Sequence, residues 1–292
     1  MLKADFHSHS GFMACPVSWK RLDYVKEYYK GDLLKTLVAQ YNSGIDVVAL
    51  TSSSIDRSIS MIEKAGELAK DPKYKFLRKL RLLPAMEVTT FDGEILFIYP
   101  EDRRPANISH ANCHVNDGTF MEKIERALGE EAAVVLPHPF YDTEVPVEEK
   151  TPQGMGTVIF DEDLQLKKEY EEFFSHVHGL EVYNGAAMSL SLLPFIGKKF
   201  VAASEKSRKV CEQKHVSMLG SSDNHAPDAV GTAYTLTEDE EPVKQIRERK
   251  TTPVLSTGKL MDPRVMISQF MYFWQNGQVS EILDILLRKY SI

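Results

Sequence analysis

The stretch "VVALTSSSID", residues 47–56, shows how this chain is built. An apolar run with the length of a buried β-strand ends in one threonine and three serines, and a segment with helical periodicity follows at once. The same order of apolar run, polar strand end and amphipathic segment recurs along the chain. Alternation of this kind predicts a parallel sheet with helices packed outside it.

Six apolar runs are predicted to be strands, and five amphipathic segments are predicted to be helices. The strands are Lys3–His7, Asp46–Thr51, Leu80–Val88, Ala132–Pro137, Gly179–Tyr183 and Val216–Gly220. The helical segments are residues 32–44, 56–70, 119–131, 164–177 and 198–214. "FDGEILFIYP", residues 91–100, adds a hairpin strand after an Asp92-Gly93 turn. Six or seven strand–helix units predict a closed or nearly closed βα barrel, and a doubly wound open sheet is the alternative.

The composition is that of an ordinary globular protein with a large core. The 292 residues suit a single α/β barrel, and 43% of them are hydrophobic. With 35 basic and 42 acidic residues and no long block of like charge, the chain lacks the basic face typical of nucleic-acid-binding proteins, so no nucleic-acid partner is expected. A small anionic substrate is compatible with the net charge of −7, because local cations or metals can outweigh that charge.

The sequence carries no signal for a membrane or for secretion. The cysteines Cys15, Cys113 and Cys211 are scattered and odd in number, so no disulfide framework is expected. No stretch approaches the ~18 apolar residues of a transmembrane helix. The N-terminus carries Asp5 and His7 where a signal peptide is apolar. We therefore expect a cytoplasmic protein without a membrane partner.

Two regions depart from the alternating pattern. Residues 103–118 are polar and rich in Asn and His, which predicts a loop over the barrel mouth; Arg103 and Arg104 are either phosphate contacts there or a solvated pair. After about Thr257 the strand signal ends, so we expect a βα barrel over 1–257 and a C-terminal helical extension over 258–292. The apolar stripe of that extension is expected to pack on the barrel or against a second copy in a homo-oligomer.

Residues that bind metals end several of the predicted strands. His7 and His9 are two apart on one strand, so their side chains point to the same face. In a βα barrel the carboxyl ends of the strands meet at one mouth, where active sites are built. Each residue has a structural alternative, such as a surface ion pair, a core histidine or a helix cap, but their joint occurrence at successive strand ends favours a metal site. The candidate ligands are His7, His9, Glu87, His138, Asp223 and His225.

The ordered set "DFHSHS", "VVALT", "LLPAMEVTT", "VVLPHPF", "GLEVYN" and "LGSSDNH" followed by "VGTAYT" resembles the PHP family, the polymerase and histidinol phosphatase superfamily. The resemblance runs from the N-terminus to about Leu255. It implies an α/β fold, a distorted seven-stranded (β/α) TIM-like barrel, here with a C-terminal helical extension. It also implies hydrolysis of phosphate esters with divalent ions, one to three per chain; the mixed imidazole and carboxylate ligands suit Mn, Zn or Fe.

By that resemblance, four residues would complete a first metal site, with Glu87 as the carboxylate that bridges two ions. These four are His7, His9, Glu87 and Asp223. His138 and His225 match ligands of the remaining sites, and Asp223 or His225 is the candidate to position or deprotonate the attacking water.

The chain also departs from the family pattern at three places. Thr51-Ser52-Ser53 stands where the family carries an acid and a histidine, and Ala14 or Cys15 stands where it carries another acid or histidine. A histidine expected after the hairpin turn falls among the apolar residues of "EILFIY", 94–99, and His110 or His114 are candidate replacements. Ser52–Ser54 either contact a phosphate or cap the next helix. Asn184 is expected to bind substrate or to orient a ligand.

The sequence thus predicts a metal-dependent phosphoesterase that hydrolyses a small phosphorylated metabolite or nucleotide. One alternative is a catalytically weak or inert PHP-fold protein that binds a metal and an anion. Another is a metal-dependent amidohydrolase, since those barrels also begin with His-x-His; it ranks lower, because they carry a lysine at the middle strand end where this chain has Glu87.

Overall fold

The computed structural model describes residues 1–10, 33–90, 92–104, 120–141, 157, 159–189, 191, 197–238 and 241–268. Nine strands of these residues form one mixed sheet: β1 (Leu2–His9), β2 (Val47–Ser52), β3 (Arg81–Thr90), β4 (Gly93–Ile98), β5 (Ala133–Leu136), β6 (Gly179–Asn184), β7 (Ser217–Ser221), β8 (Ala233–Thr237) and β9 (Thr251–Leu255). Their spatial order is β7-β6-β5-β4-β3-β2-β1-β8-β9. The six predicted strands and the predicted hairpin strand are all present.

The helices lie outside this sheet. They are α1 (residues 33–42), α2 (Ile55–Leu68), α3 (Phe120–Gly129), α4 (Glu171–Ser175), α5 (Gly185–Ser189), α6 (Gly197–Lys214), α7 (Pro242–Arg247), α8 (Thr257–Leu260) and α9 (residues 263–268). The helix predicted over 164–177 is shorter than expected, because a 3-10 turn at Lys168–Tyr170 precedes α4. Along the described ranges, no helix combines the length and the apolar character needed to span a bilayer.

The sheet is nearly closed into a barrel. β1, β2 and β3 run parallel, as do β5, β6 and β7, while β4 is antiparallel to both of its neighbours. The Thr235 hydroxyl of β8 donates to the Gly220 carbonyl of β7 at 2.8 Å and accepts from the Gly220 amide at 3.0 Å. A Cβ on Gly220 would lie 2.6 Å from the Tyr234 carbonyl, so only glycine lets β7 approach β8 this closely.

The prediction of seven strands is wrong, because the described chain has nine. The two additional strands, β8 and β9, form an antiparallel pair that extends the sheet beyond β1. β9 contains Pro253, a residue that is tolerated only where a strand donates no ladder hydrogen bond, and β9 is the last strand in the order. The proline therefore hid an edge strand from the sequence pattern.

Three apolar clusters surround the strands and show which side of each strand faces inward. The barrel interior holds Ala4, Phe6, Val47, Ala49, Leu83, Ala85, Leu96, Ile98, Ala133, Val135 and Leu219. Val48 and Leu50 of β2 instead pack outward with α1 and α2, and Met86 and Val88 of β3 pack outward in the third cluster. The inner side of each strand, followed to its carboxyl end, leads to the barrel mouth.

Several expectations concern residues outside the described ranges. These are Cys15, His110, His114, nearly all of the mouth loop over 103–118, and the extension beyond residue 268. The division into a barrel over 1–257 and an extension over 258–292 stays a prediction.

Candidate metal centre

A β-bulge in β1 aims His7 and His9 at the mouth. Asp5 pairs with Val48 and Ser8 pairs with Leu50, so two residues of β1 oppose one residue of β2. Phe6 therefore fills the barrel interior, and the next residue, His7, also points inward. A bulge of this kind re-aims the side chains that follow it. The strand residues up to Phe6 thus pack in the barrel core, while His7 and His9 present two imidazoles to the mouth.

A second bulge, in β6, brings Glu181 and Asn184 to the same inner side of the strand. Glu181 pairs with Leu219 and Tyr183 pairs with Gly220, which leaves Val182 unpaired between them. Glu181 and Asn184 are three residues apart, yet both point inward, and the Asn184 amide donates to Glu181 Oε2 at 3.0 Å. Both side chains are fully buried.

β3 and β4 bring two carboxylates to the mouth without a bulge. Glu87 continues the inner series of Leu83 and Ala85 on β3. Glu94 lies on the inner side of β4, two residues before Leu96, which is paired with Glu87. Ordinary alternation along each strand is enough to place these carboxylates next to the two histidines.

His138 and Asp223 lie just after β5 and β7, on backbone that non-glycine residues seldom adopt. Their φ angles are 31° and 44°. The Asp223 amide donates to the His7 carbonyl at 2.8 Å, which ties this turn to β1. Strained backbone of this type is typical of functional sites.

The first ligand group, His7, His9, Glu87 and Asp223, converges on one point. His7 Nε2 lies 3.0 Å from His9 Nε2, 3.3 Å from Glu87 Oε1 and 3.4 Å from Asp223 Oδ1. His9 Nε2 lies 3.2 Å from Asp223 Oδ1 and 3.4 Å from Glu87 Oε2. Two ligands that share an ion at about 2.0–2.2 Å are roughly 3.0–3.6 Å apart, depending on geometry. The donor atoms are therefore spaced as ligands of one ion would be.

The second ligand group, Glu87, Glu94 and His138, shares Glu87 with the first. His138 Nε2 lies 3.3 Å from Glu87 Oε1 and 3.5 Å from Glu94 Oε2. Glu87 Oε1 is thus within 3.3 Å of a histidine from each group. Glu87 is the carboxylate that can bridge two ions.

His225 lies beside the first group. Its ring stacks on that of His9, with centroids 4.6 Å apart and planes within 9°. Its Nε2 lies 3.5 Å from Asp223 Oδ1. The structure therefore brings all six predicted ligands to one region of the mouth.

Glu181 fixes which nitrogen of His7 is available to a metal. Glu181 Oε1 lies 2.9 Å from His7 Nδ1, on the side of the ring away from the other ligands. With the Nδ1 proton donated to this carboxylate, Nε2 of the neutral ring keeps its lone pair and faces the first group. Metal-binding histidines are commonly oriented by such a carboxylate.

The electrostatics of the site favour positive charge. Burial by itself would lower the pKa of His7, but attraction to Asp223, Glu87 and Glu181 outweighs it and raises the pKa well above its ordinary value. For His138, burial is likewise outweighed, mainly by the hydrogen bond with Glu87, and the pKa rises to about 9. Burial would raise the pKa of Glu87, yet His7 holds it well below the usual range.

Three buried carboxylates at the mouth, Glu87, Glu181 and Asp223, have only histidines as charge partners in the ranges that the structure describes. There, every ion pair of Glu87, Glu181 and Asp223 is with a histidine. When the histidine rings are neutral, these carboxylates carry a net negative charge, which a divalent cation would neutralise. The donor set of imidazole nitrogens and carboxylate oxygens therefore fits a divalent transition metal.

The serines at the end of β2 have at least one structural task. Ser54 is the N-cap of α2, and its hydroxyl accepts from the Arg57 amide at 3.4 Å. Ser52 is the last residue of β2 and shares the outer side of that strand with Leu50. Ser52 and Ser53 are half-buried.

Asn184, Arg103 and Arg104 are the other residues that were predicted to make contacts at the mouth. Asn184 Nδ2 donates to both Glu181 Oε2 and Asp223 Oδ2, at 3.0 and 2.9 Å, which favours the orienting role over substrate binding. Arg103 is exposed and pairs with Glu131 at 2.9 Å. Arg104 is exposed and donates to backbone carbonyls of its own turn.

Sequence reasoning missed Glu181 and Glu94. Glu181 left a signal, because a carboxylate in the middle of the buried strand "GLEVYN" needs a partner. Glu94 looked like an exposed residue after a turn, and only the pairing of β4 with β3 brings it to the mouth.

A known family model matches a segment of the chain that includes two of the candidate ligands. Residues 202–251, which include Asp223 and His225, match the PHP_C model, described as PHP-associated. The match is confined to these residues, so it shows that this part of the chain is similar to PHP-associated proteins. The motifs quoted for the resemblance include the strand ends that carry His7, His9, Glu87, His138 and Asp223.

Two solved structures resemble this chain. PsfC from Pseudomonas syringae has a TM-score of 0.53 and 12% identity, over 94% of this chain and 98% of that one. A protein described as a candidate metal-dependent phosphoesterase from Bifidobacterium adolescentis has a TM-score of 0.46 and 15% identity, over 87% and 98% of the two chains. A search among curated proteins finds no match. At these identities the likeness to PsfC concerns the fold alone.

Proposed function

We propose that this chain is a metal-dependent phosphoesterase that hydrolyses a small phosphorylated metabolite or nucleotide. The observation that carries the proposal is Glu87, whose Oε1 lies 3.3 Å from both His7 Nε2 and His138 Nε2. A carboxylate shared by two ligand groups is suited to a pair of ions, and a pair of ions suits in-line displacement at phosphorus. The resemblance to the PHP superfamily, with the PHP-associated match over residues 202–251, supports the same reaction class.

The residues of the first group would hold one ion, and Glu87, Glu94 and His138 would hold a second. Bound divalent ions would supply Lewis-acid chemistry, polarising a phosphoryl oxygen and acidifying a water molecule. Mn, Zn and Fe all accept this mixture of imidazole and carboxylate ligands.

The protein's own groups orient the reaction. Asn184 holds Asp223 Oδ2 by a 2.9 Å hydrogen bond, which leaves Asp223 Oδ1 directed at His7 and His9. The His225 side chain is 14% exposed while that of Asp223 is 5% exposed, so His225 is nearer the solvent of the mouth. We assign to Asp223 and His225 together the positioning and deprotonation of the attacking water.

The alternative is a weak or inert PHP-fold protein that binds a metal and an anion. The observation that favours it is the end of β2, where Ser54 caps α2 and no acid or imidazole stands at 52–54. A third metal position beside His225 would therefore lack ligands from this strand.

The test is metal analysis of the purified chain together with turnover of a panel of phosphomonoesters and phosphodiesters. We expect at least one tightly bound divalent ion per chain and turnover that stops on chelation and returns with added Mn²⁺. His7→Ala should abolish turnover and retain the fold, because its side chain lies at the mouth. His176→Ala, at the end of α4, is the matched control and should keep both. Metal binding without turnover of any ester would favour the inert alternative.

A further inference from the structure

A buried polar network lies behind β1, on the side away from the two ligand groups. Its members are fully buried: Asp5, Ser8, Gln40, Ser222 and Asn224. Asp5 and Ser8 pair with Val48 and Leu50 of β2, whose side chains face outward toward α1 and α2. None of the candidate ligands uses this side of the strand.

Asp5 is at the centre of the network. Its Oδ1 accepts from the Ser222 amide at 3.0 Å. Its Oδ2 accepts from the Gln40 amide group at 2.8 Å and from the Ser222 hydroxyl. A carboxylate with no exposure is costly to bury unless its oxygens are satisfied, and here three donors satisfy them.

The network continues to two of the three chain segments that carry the first ligand group, the end of β1 and the Asp223 turn. Ser8 Oγ donates to Asn224 Oδ1 at 2.7 Å, and Asn224 Nδ2 donates to the His9 carbonyl at 2.9 Å. Ser222 and Asn224 are the two neighbours of Asp223, whose φ is 44°. The residues on either side of this strained ligand are therefore anchored to Asp5 and to the end of β1.

We infer that Asp5 is a positioning residue that holds the Asp223 turn against the end of β1. Without it the turn would relax toward an ordinary backbone conformation, and Asp223 Oδ1 would leave its place beside His7 and His9. The consequence for metal affinity rests on the proposed function, whereas the ordering of the turn does not.

The test uses two variants of the network and one matched control. In Asp5→Asn one carboxylate oxygen becomes an NH₂ group, which in either orientation meets an N–H donor, of Gln40 or of the Ser222 backbone, so the network loses one of its acceptors. Ser222→Ala removes one donor to Asp5. Ser217→Ala is the control, because Ser217 is also buried on β7 but its hydroxyl donates to the Ile246 carbonyl at 2.7 Å, remote from the turn.

Three quantities are measured: thermal stability, hydrogen exchange of the Asp223 amide in chelator, and the Mn²⁺ dissociation constant. All three variants should lower the melting temperature. Only Asp5→Asn and Ser222→Ala should speed exchange at Asp223 and weaken Mn²⁺ binding, by about 10–100-fold. If both match Ser217→Ala in exchange and affinity, the inference is overturned.

Two further outcomes are also decisive. If Asp5→Asn does not fold, the comparison of Ser222→Ala with Ser217→Ala decides alone. If the wild-type chain binds no Mn²⁺, the proposed function fails, and exchange at Asp223 in the variants still decides whether Asp5 orders the turn.

Discussion

Glu181 contacts His7 and His138 from beneath the metal centre with its two oxygens. Oε1 lies 2.9 Å from His7 Nδ1, and Oε2 accepts from the His138 backbone amide at 3.0 Å. One buried carboxylate therefore orients a residue of each ligand group. Glu181 is not a member of either group, although its carboxylate lies close enough to His7 and His138 to form a separate triad with them.

Glu181→Gln is expected to weaken metal binding by about 10–100-fold while retaining the fold. Oε2 accepts two hydrogen bonds, so the amide oxygen of glutamine is held on that side and its NH₂ faces His7. His7 Nδ1 must then accept, which moves the ring proton to Nε2 and blocks the lone pair that a metal needs. Calorimetric titration with Mn²⁺ measures the effect, with exposed Glu172→Gln as control. Equal affinity in both variants would contradict the assigned role.

The metal-free chain is expected to lose stability as the pH rises from 6.5 to about 9. The pKa of His138 is raised to about 9 in the folded state, so its protonation stabilises the fold fully below 6.5, and this contribution disappears as the pH passes 9. The raised pKa values of His7 and His9 act in the same direction. The pKa of His225, lowered to about 3, opposes this only below 6.5.

Thermal melting in chelator across this pH range measures the effect, and the melting temperature should fall by a few degrees. His138→Gln should flatten the slope. A melting temperature that rises from pH 6.5 to 9 would show that the histidines are neutral in the folded chain.

Glu94→Gln is expected to remove one bound ion and leave the other. The change weakens the second ligand group, because Glu94 pairs with His138 and is not grouped with His7, His9 and Asp223. Glu94→His should instead retain that ion and shift its preference from Mn²⁺ toward Zn²⁺, since imidazole is a softer ligand than carboxylate. Metal analysis after equilibration with a mixture of both ions is the measurement. Unchanged stoichiometry in Glu94→Gln would exclude the second ion from this position.

Ser52→Asp combined with Ser53→His is expected to raise the metal content by up to one ion per chain. The change restores the acid and histidine of the family pattern at the end of β2, and because Ser52 is on the outer side of that strand, we expect the imidazole at position 53 to be the new ligand that faces the mouth. Ser54→Ala is the control: it should cost about 1 kcal/mol of stability through the lost helix cap and leave the metal content unchanged. A folded double variant with no additional metal would refute the idea that these serines replace a ligand pair.

The strand ends could be predicted because each apolar run is local in sequence. His7, Glu87 and Asp223 each follow or end such a run, so the sequence alone indicated that they share a mouth. The number of strands could not be predicted in the same way. β8 and β9 gain their stability from pairing with β1 and with each other, which is non-local, and Pro253 obscured the pattern of β9.

The orienting groups were harder to predict because they depend on register. Asp5 lies next to the histidine pair but faces the opposite side, and Glu181 and Asn184 share a side only because Val182 is bulged out. An alternating pattern cannot show where a strand changes side. That information lies in the pairing of one strand with its neighbour.

The bulges in β1 and β6 shift the alternation of inward and outward side chains along each strand. The residues that face inward at the mouth are therefore not those that the pattern at the barrel floor would predict. With strict alternation along β1, Ala4 and Phe6 would still fill the core while His7 and His9 faced outward, so the fold could survive with an empty mouth. A graft of this site into another barrel must therefore carry the bulges along with the ligands. The β1 bulge decides whether His7 and His9 face the mouth, and the β6 bulge decides whether Asn184 shares a side with Glu181.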